Sequence, residues 1–413
     1  MVTPTNATRA AAQIRPGDEI VVDTSRPTAT LESALERDDL RDVVVTVFGY
    51  PYADSSLLRA LANHDGISVQ LSMVPSGVRD LVTDGDISYV PRTVYQTAQS
   101  PALRPNRRTV GIVQTPPGTD DEDHPIGCLS TFGRSLVETG DVTIVETNPR
   151  VPSPTQSGRI ERSKIDHLLS SESGLPTLDL TTSDVAADIA ENLRPLVPET
   201  ATVQLGVGGL MESIGERLAT GGPYSLWTGL VGESVRPMVE NECVTRATGC
   251  VAIGSTESFY DWVQSVEDIR FVSGSVSHAP AKLTEQTNLV AINSALQVDL
   301  TGQINAETLG GRQVAGVGGQ SAFMTAASND PEGRAIIALE SRASNGISKI
   351  IGALPDREIV TTPRYAIDAV VTEYGVARLT GRTTRERASD LVAVAHPDDR
   401  TELREAAREY GLR

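Results

Sequence analysis

Lysine and aromatic residues are scarce in this 413-residue chain. Only three of its 36 basic residues are lysine, and phenylalanine, tryptophan and tyrosine together make up 4% of the sequence. The core must therefore be built mainly from aliphatic side chains. Acidic residues outnumber basic ones by 54 to 36, which gives a net charge of −18. Such a surface repels nucleic acid and anionic membranes, and it suits a halophilic protein in a cytoplasm of very high salt.

Cysteine is also rare, and long apolar runs are missing. The three cysteines, Cys128, Cys243 and Cys250, are odd in number and lack Cys-x-x-Cys spacing, which argues against a disulfide framework and a structural zinc site. The five histidines show no metal-ligand spacing either. No apolar run reaches 18 residues, and no apolar signal segment opens the chain. We therefore expect a cytoplasmic, reduced protein with no metal or redox cofactor.

Strand and helix patterns alternate along both halves of the chain. Val43–Phe48 has the composition of a buried strand, for example, and Leu31–Arg41 that of a charged helix. Alternation of this kind predicts two α/β domains, each a mostly parallel sheet flanked by helices. A connecting helix over Asp184–Val197 places their boundary, so the domains are predicted at 1–180 and 181–413.

Two glycine-rich turns follow strands in the second half. One is Gly206-Val207-Gly208-Gly209; the other, Gly316–Gly319, closes a stretch that begins at Asn288 and includes a predicted β-hairpin turning at Thr301-Gly302. Without Cβ atoms, such turns let backbone N–H groups approach an oxyanion or the polar part of an acyl carrier, although loops without a ligand remain an alternative. Met211 stands where a dinucleotide fingerprint needs its third glycine, so an NAD site is not expected.

Several longer motifs carry a family resemblance. In the second half they are VQLGVGG at 203–209, LVAINSALQVDLTGQINAE at 289–307, AGVGGQ at 315–320, VTEYGVARLTGRTTRERA at 371–388 and AHPDDR at 395–400. Through these motifs the second half resembles the acetyl-CoA hydrolase/transferase family, the class I CoA-transferases that include acetate and 4-hydroxybutyrate CoA-transferases. The first half matches that family more weakly, through IRPGDEIVV at 14–22 and VQTPP at 113–117.

The resemblance implies a site and a reaction. In that family a glutamate attacks the acyl-CoA thioester and forms a glutamyl–CoA thioester, which is covalent catalysis by a carboxylate. The resemblance also implies that the N–H groups of Val207 and Gly319 donate to the oxyanion. It implies that Gln204 lines the site and that Glu373 lies near the bound CoA. It also implies a homodimer acting on acyl-CoA and a small carboxylic acid. The other candidate residues for substrate or CoA binding are Gly206, Gly208, His278, Gly316, Gly318 and Gln320.

One departure affects the nucleophile itself. The family carries it in a segment of the form His-Thr-Glu-x-x-x-Asp-Gly, which here reads Trp227-Thr228-Gly229-Leu230-Val231-Gly232-Glu233-Ser234. Gly229 therefore occupies the glutamate position. The nearest carboxylate, Glu233, is the candidate substitute, although a carboxylate at a helix start is also explained by the helix dipole.

Three hypotheses about the function of the chain are compatible with its sequence. The chain is a CoA-transferase with a relocated carboxylate, an acyl-CoA hydrolase that uses water, or a CoA-binding protein without chemistry. A sugar-phosphate isomerase would rest on fold analogy alone.

Overall fold

The computed structural model describes residues 3–50, 53–104, 106–119, 123–178 and 180–412. The chain folds into two compact units. Unit 1 comprises residues 1–178, 248–277 and 313–318; unit 2 comprises residues 179–247, 278–312 and 319–413. The chain thus leaves unit 1 near the predicted boundary at residue 180 and later returns to it twice.

The elements of the first 178 residues alternate between strands and short helices. They are β1 (Thr3–Pro4), α1 (Ala7–Ala11), β2 (Glu19–Val22), α2 (Ala29–Ala34), β3 (Val43–Val47), α3 (Ser55–Ala62), β4 (Ile67–Leu71), α4 (Arg79–Asp84), β5 (Ile87–Tyr89), α5 (Val94–Gln99), β6 (Thr109–Thr115), β7 (His124–Gly127), α6 (Gly133–Thr139), β8 (Val142–Thr147), β9 (Gly158–Ile160) and β10 (His167–Ser170).

The rest of the chain repeats this alternation and adds small hairpins. Its elements are α7 (Ala186–Leu193), β11 (Thr202–Leu205), α8 (Gly209–Leu218), β12 (Tyr224–Val231), α9 (Val235–Glu240), β13 (Val244–Ala252), α10 (Glu257–Ser265), β14 (Ile269–Phe271), α11 (Gly274–Ser277), α12 (Pro280–Thr284), β15 (Leu289–Asn293), β16 (Gln297–Asp299), β17 (Ile304–Asn305), β18 (Thr308–Leu309), β19 (Arg312–Gln313), α13 (Gln320–Asn329), β20 (Arg334–Ala338), β21 (Ile350–Ile351), β22 (Ala369–Thr372), β23 (Gly375–Arg378), α14 (Thr384–Val394) and α15 (Arg400–Glu409).

Unit 1 is built on one parallel sheet. Its strand order is β1-β10-β8-β6-β2-β3-β4-β5, and every neighbouring pair is parallel. Ile20 in β2 is in register with Val45 on one side and Val110 on the other. These strands are buried and rich in valine and isoleucine, as expected when helices cover both faces of a sheet.

Unit 2 has a sheet of the same kind. Its strands are ordered β13-β12-β11-β15-β20-β22-β23, and the first four residues of β13 belong to this unit. Strand β11 pairs in parallel with β12 and β15, and only β23 among the strands with described register runs antiparallel to its neighbour. The predicted hairpin is confirmed, because β16 and β17 are antiparallel and Gly302 turns with φ +94°.

The predicted fold class is therefore confirmed as α/β with mostly parallel sheets flanked by helices. The strand order of each sheet also reverses direction at one position. In unit 1 the reversal lies between β2 and β6, and in unit 2 it lies between β11 and β15. Ligands of open α/β sheets bind outside the carboxyl ends of the strands at such reversals. None of the described helices is long and apolar enough to cross a membrane.

The predicted helix over Leu31–Arg41 is wrong in its extent. The helix begins at Ala29 and ends at Ala34. Beyond it the Arg37 guanidinium donates to the carbonyls of Ala11 and Ile14 and pairs with Asp39. These tertiary contacts hold the chain in turns, and they override the local helix propensity of the charged residues.

Candidate functional site

The strand reversal in unit 2 carries the first glycine turn. β11 ends at Leu205, and Gly206, Val207 and Gly208 connect it to α8. Gly208 has φ +115°, a conformation that side chains disfavour, and a Cβ on Gly206 would lie 3.0 Å from the Asn293 Oδ1. Val207 is 45% exposed. The turn therefore presents its backbone at the N-terminus of a ten-residue helix, where partial positive charge accumulates.

A second helix N-terminus carries the other predicted oxyanion donor. Gly319 is the N-cap of α13, which also has ten residues. Within the described part of the chain, neither the Gly319 N–H nor the Val207 N–H has a hydrogen-bond acceptor. Both predicted donors are thus available to an anion, as an oxyanion site requires.

A buried amide pair lies beneath the first turn. Asn293, the last residue of β15, donates from Nδ2 to the Gln204 Oε1 at 2.8 Å, and Gln204 donates back to Oδ1 at 3.3 Å. Both side chains are buried, and Met324 of α13 contacts the Asn293 amide at 3.5 Å. Gln204 is therefore rigidly placed on the sheet face that α13 covers.

Gly229 lies on this same face. β11 and β12 are in register at Val203 and Leu226, so residues 204, 206, 227 and 229 share one face by strand alternation. A Cβ on Gly229 would lie 3.0 Å from both Cε1 and Nε2 of His278. The His278 ring is buried and packs edge-on against Phe323, with ring centroids 5.0 Å apart.

His278 also contacts the second glycine turn. A Cβ on Gly319 would lie 2.5 Å from the His278 Nε2, closer than real Cβ contacts allow. Burial lowers the pKa of His278 to about 3, so the ring is neutral near pH 7. The structure thus places a neutral imidazole between Gly229, the predicted nucleophile position, and Gly319, a predicted oxyanion donor.

Glu233 has a different environment. It follows the carboxyl end of β12, next to Gly232, and a Cβ on Gly232 would meet the carboxylate of Glu212. Burial raises the pKa of Glu212, hydrogen bonds from Ser234 oppose this shift, and the charge of Glu233 adds to it. Glu212 lies on α8, which covers the opposite face of the sheet because its Gly215 lies against Leu205. Glu233 is therefore close enough to Glu212 for its charge to act on that carboxyl.

Glu373 and Gln320 lie farther along the same region of unit 2. Glu373 follows β22, and its carboxylate accepts hydrogen bonds from the backbone and side chain of Ser341. β22 is three strands from β11, or about 14 Å at the usual strand spacing. Gln320 begins α13 and donates to the Thr362 hydroxyl at 3.2 Å. Binding of CoA by either residue stays a prediction.

Gly316 and Gly318 belong to unit 1. A Cβ on Gly316 would lie 2.3 Å from the Ser72 carbonyl oxygen, so only glycine fits there. Gly318 has φ +59°, and its carbonyl accepts a hydrogen bond from the Val94 N–H. These contacts explain both glycines structurally, and their role in binding stays a prediction.

The structure brings together Gln204, Gly206, Gly229, His278 and Gly319 of the predicted residues. Sequence reasoning missed two groups that complete this constellation, Asn293 and Phe323. Asn293 had a signal, because it is an amide at the end of the apolar run Leu289–Ile292. Phe323 had none, since an aromatic residue on a helix is ordinarily a core residue. In the described part of the chain, no group of three or more histidine, cysteine, aspartate or glutamate residues could hold a metal ion.

Comparison with known sequences identifies relatives of this chain. Residues 254–407 match the model of the acetyl-CoA hydrolase/transferase C-terminal domain. The chain is 32% identical over 340 residues to the 4-hydroxybutyrate coenzyme A transferase of Clostridium kluyveri, covering 79% of this chain and 78% of that protein. It is 27% identical over 273 residues to the acetyl-CoA hydrolase of Saccharomyces cerevisiae, covering 62% of this chain and 47% of that protein.

Solved structures share the whole fold. RipA from Yersinia pestis superimposes with a TM-score of 0.90 at 25% identity, covering 99% of this chain and 98% of RipA. The 4-hydroxybutyrate CoA-transferase from Porphyromonas gingivalis superimposes with a TM-score of 0.77 at 23% identity, covering 98% of this chain and 97% of that one, and this match concerns the fold alone.

Proposed function

The chain belongs to the acetyl-CoA hydrolase/transferase family, and we propose that it acts on short-chain acyl-CoA thioesters, moving CoA between an acyl-CoA and a carboxylic acid. The observation that carries the proposal is the pair of N–H groups, Val207 and Gly319, at the N-termini of two ten-residue helices. Attack on a thioester turns its carbonyl oxygen into an oxyanion, and fixed N–H donors stabilise that charge. In this proposal CoA enters as a substrate, and no metal or redox cofactor takes part.

Transfer requires a carboxylate that attacks the thioester. Gly229 supplies none, so Glu233 is the proposed nucleophile for transfer. Glu233 lies four residues beyond Gly229 in the chain, so its carboxylate must reach the glycine turns from beyond the end of β12. The transfer reaction therefore depends on whether the Glu233 carboxylate can reach the glycine turns.

Hydrolysis is the second candidate, and Gly229 favours it. In place of a carboxylate, the site has a neutral imidazole against the backbone of residue 229. Water in place of an enzyme carboxylate would release a free acid and free CoA without a covalent intermediate. A CoA-binding protein without turnover is the remaining outcome.

One assay separates these outcomes. The purified protein is incubated in molar KCl with acetyl-CoA or butyryl-CoA, with and without acetate, butyrate or 4-hydroxybutyrate, while free thiol and acyl exchange are followed. Transfer predicts exchange that requires an acceptor acid and is lost in Glu233→Gln. Hydrolysis predicts thiol release without an acceptor, at an equal rate in Glu233→Gln. CoA binding without either reaction contradicts both candidates.

We further propose that the protein is a cytoplasmic homodimer adapted to high salt. The family resemblance supports the dimer, and the net charge of −18 with few lysines supports the salt adaptation. Light scattering after size exclusion tests the dimer. Thermal unfolding should occur at a higher temperature in 2 M than in 0.1 M KCl, since salt screens the repulsion between carboxylates.

A further inference from the structure

Unit 1 contains a cavity of about 250 Å³ whose wall carries three guanidinium groups. They belong to Arg134 in α6, Arg159 in β9 and Arg270 in β14. All the residues that line the cavity are in unit 1, and none of these described residues has a carboxylate. Because acidic residues outnumber basic ones by 54 to 36 in the whole chain, the cavity is a local concentration of positive charge on an acidic protein.

At least two of the three guanidinium groups are available to a ligand. Arg270 is exposed, and in the described part of the chain its guanidinium has neither a hydrogen-bond acceptor nor an ion-pair partner. Arg134 lies 3.7 Å from the Glu138 carboxylate, and both side chains are more than half exposed. An exposed pair of this kind contributes little free energy, so an anionic ligand can replace Glu138. Arg159 donates to the Asp123 carbonyl, which holds its side chain beside the cavity.

We propose that this cavity binds a phosphate monoester of a small organic molecule. A phosphate monoester carries a charge of about −1.5 to −2 at pH 7 and three strong acceptor oxygens, which suits three cationic donors. The planar fork of arginine also matches phosphate with two parallel hydrogen bonds. A single carboxylate has one negative charge and two oxygens, so it would leave part of the positive charge unmatched.

The rest of the wall suits the organic part of such a ligand. Ligand sites commonly combine apolar walls with a few polar groups that fix the orientation of the ligand. A water molecule needs about 10–15 Å³ of a cavity, so there is room here for an organic part as well as a phosphate. The apolar side chains of the wall are those of Ile126, Phe271, Val272 and Val276, and its uncharged polar ones include those of Ser130, Gln156 and Ser273.

Backbone hydrogen bonds hold the walls of the cavity together. The Phe271 N–H donates to the Gln156 carbonyl at 3.1 Å, and the Gly274 N–H donates to the Thr131 carbonyl at 2.7 Å. The first bond joins β14 to the segment that precedes β9, and the second joins the segment after β14 to the segment before α6. The three arginines therefore extend from connected segments, and binding does not have to order the backbone around the ligand.

The first test measures binding directly and does not depend on turnover at the glycine turns. Isothermal titration calorimetry uses glycerol 3-phosphate as the probe, in the lowest KCl concentration at which circular dichroism shows the folded protein, because salt screens charge pairs. One binding site per chain is expected. Arg270→Gln should weaken binding about 10- to 100-fold, the range expected for hydrogen bonds to charged groups. Arg270→Lys keeps the charge but loses the fork, so its loss should be smaller.

The matched control is Arg246→Gln. Arg246 is also an exposed arginine in a strand, but it lies in the part of β13 that belongs to unit 2. This variant lowers the net charge by the same amount as Arg270→Gln. It should bind glycerol 3-phosphate as the natural protein does, which would assign the loss in Arg270→Gln to the cavity and not to the charge of the whole protein.

A competition experiment identifies the source of the phosphate monoester. CoA carries such a group on its ribose, and dephospho-CoA lacks it. Displacement of glycerol 3-phosphate by CoA but not by dephospho-CoA would mean that the cavity holds the ribose phosphate of CoA. Binding of glycerol 3-phosphate together with CoA would mean that the ligand is a separate phosphorylated metabolite. Either result supports the inference.

Three results would overturn the inference. They are no binding of glycerol 3-phosphate at millimolar concentration, equal binding by the natural protein and Arg270→Gln, and tighter binding of citrate than of glycerol 3-phosphate through Arg270. The last result would assign the cavity to a polycarboxylate. Failure of the proposed function is a separate observation, because the protein would then turn over no acyl-CoA while glycerol 3-phosphate still binds.

Discussion

The two strand reversals of this protein have the same topology, but the chain segments that follow them differ in their hydrogen bonding. At the reversal in unit 1, side-chain hydrogen bonds hold the segment that follows β2. The Asp23 carboxylate accepts from the Phe132 N–H. The Ser25 hydroxyl accepts from the Gln114 N–H, and the Gln114 side-chain amide donates to the Ser25 carbonyl. At the reversal in unit 2, the chain after β11 is a bare glycine turn. Buried polar residues therefore mark internal bracing in unit 1, whereas free backbone donors mark the candidate site in unit 2.

The largest effect should come from breaking the bracing of unit 1. The buried carboxylate of Glu146 accepts hydrogen bonds from the N–H groups of Thr28, Ala29 and Thr30 at 2.8–3.1 Å. Glu146→Ala leaves three donors without their acceptor, and we expect a loss of about 4 kcal/mol in the free energy of unfolding. Urea unfolding followed by fluorescence measures it, with exposed Glu138→Ala as the control. A loss below about 1 kcal/mol would show that these donors find other acceptors.

The next effect removes a donor from unit 2. Val207→Pro deletes one N–H of the glycine turn, and we expect turnover of acyl-CoA to fall by about 100- to 1000-fold. Val207 is exposed, so the unfolding midpoint should change far less than in Glu146→Ala. Val207→Ala keeps the N–H and should lose much less activity. Equal losses in both variants would mean that the side chain, and not the donor, matters at this position.

The sequence predicts the local strands and turns of both units, but it does not predict contacts between residues that are far apart in the chain. Strands such as Val43–Val47 and Ala369–Thr372 follow from apolar runs, because a buried parallel strand requires them. The glycine turn after β11 is equally predictable from the sequence. The contact of His278 with Gly229 is not predictable in this way, because the two residues are 49 positions apart in the sequence and tertiary packing, including contacts with Phe323 and Gly319, places the ring. The assignment of residues 248–277 to unit 1 likewise arises from tertiary contacts that no local pattern reports.

The pH dependence of stability should differ between a buried histidine and its replacement. Burial lowers the pKa of His124 to about 4, from about 6.5 in an unfolded chain. The unfolded state therefore binds the proton first, and the contribution of His124 is complete above pH 6.5 and is lost as pH falls toward 4. Between pH 6.5 and 5 the natural protein should lose about 2 kcal/mol more than His124→Asn. Urea unfolding at both pH values measures the difference, and parallel curves would mean that the folded protein protonates His124 normally.

The smallest effect compares one helix start in each unit. Thr93 caps α5 with Gln96 as its reciprocal partner, and Thr383 caps α14 with Glu386. Each threonine accepts a backbone N–H, so Thr93→Ala and Thr383→Ala should each lower the free energy of unfolding by about 1 kcal/mol. Because Glu386 is charged and Gln96 is not, removing Glu386 by Glu386→Ala should cost more in 0.1 M than in 2 M KCl, whereas Gln96→Ala should cost the same in both. A salt dependence of equal size in the two variants would assign it to the whole acidic surface and not to the helix dipole.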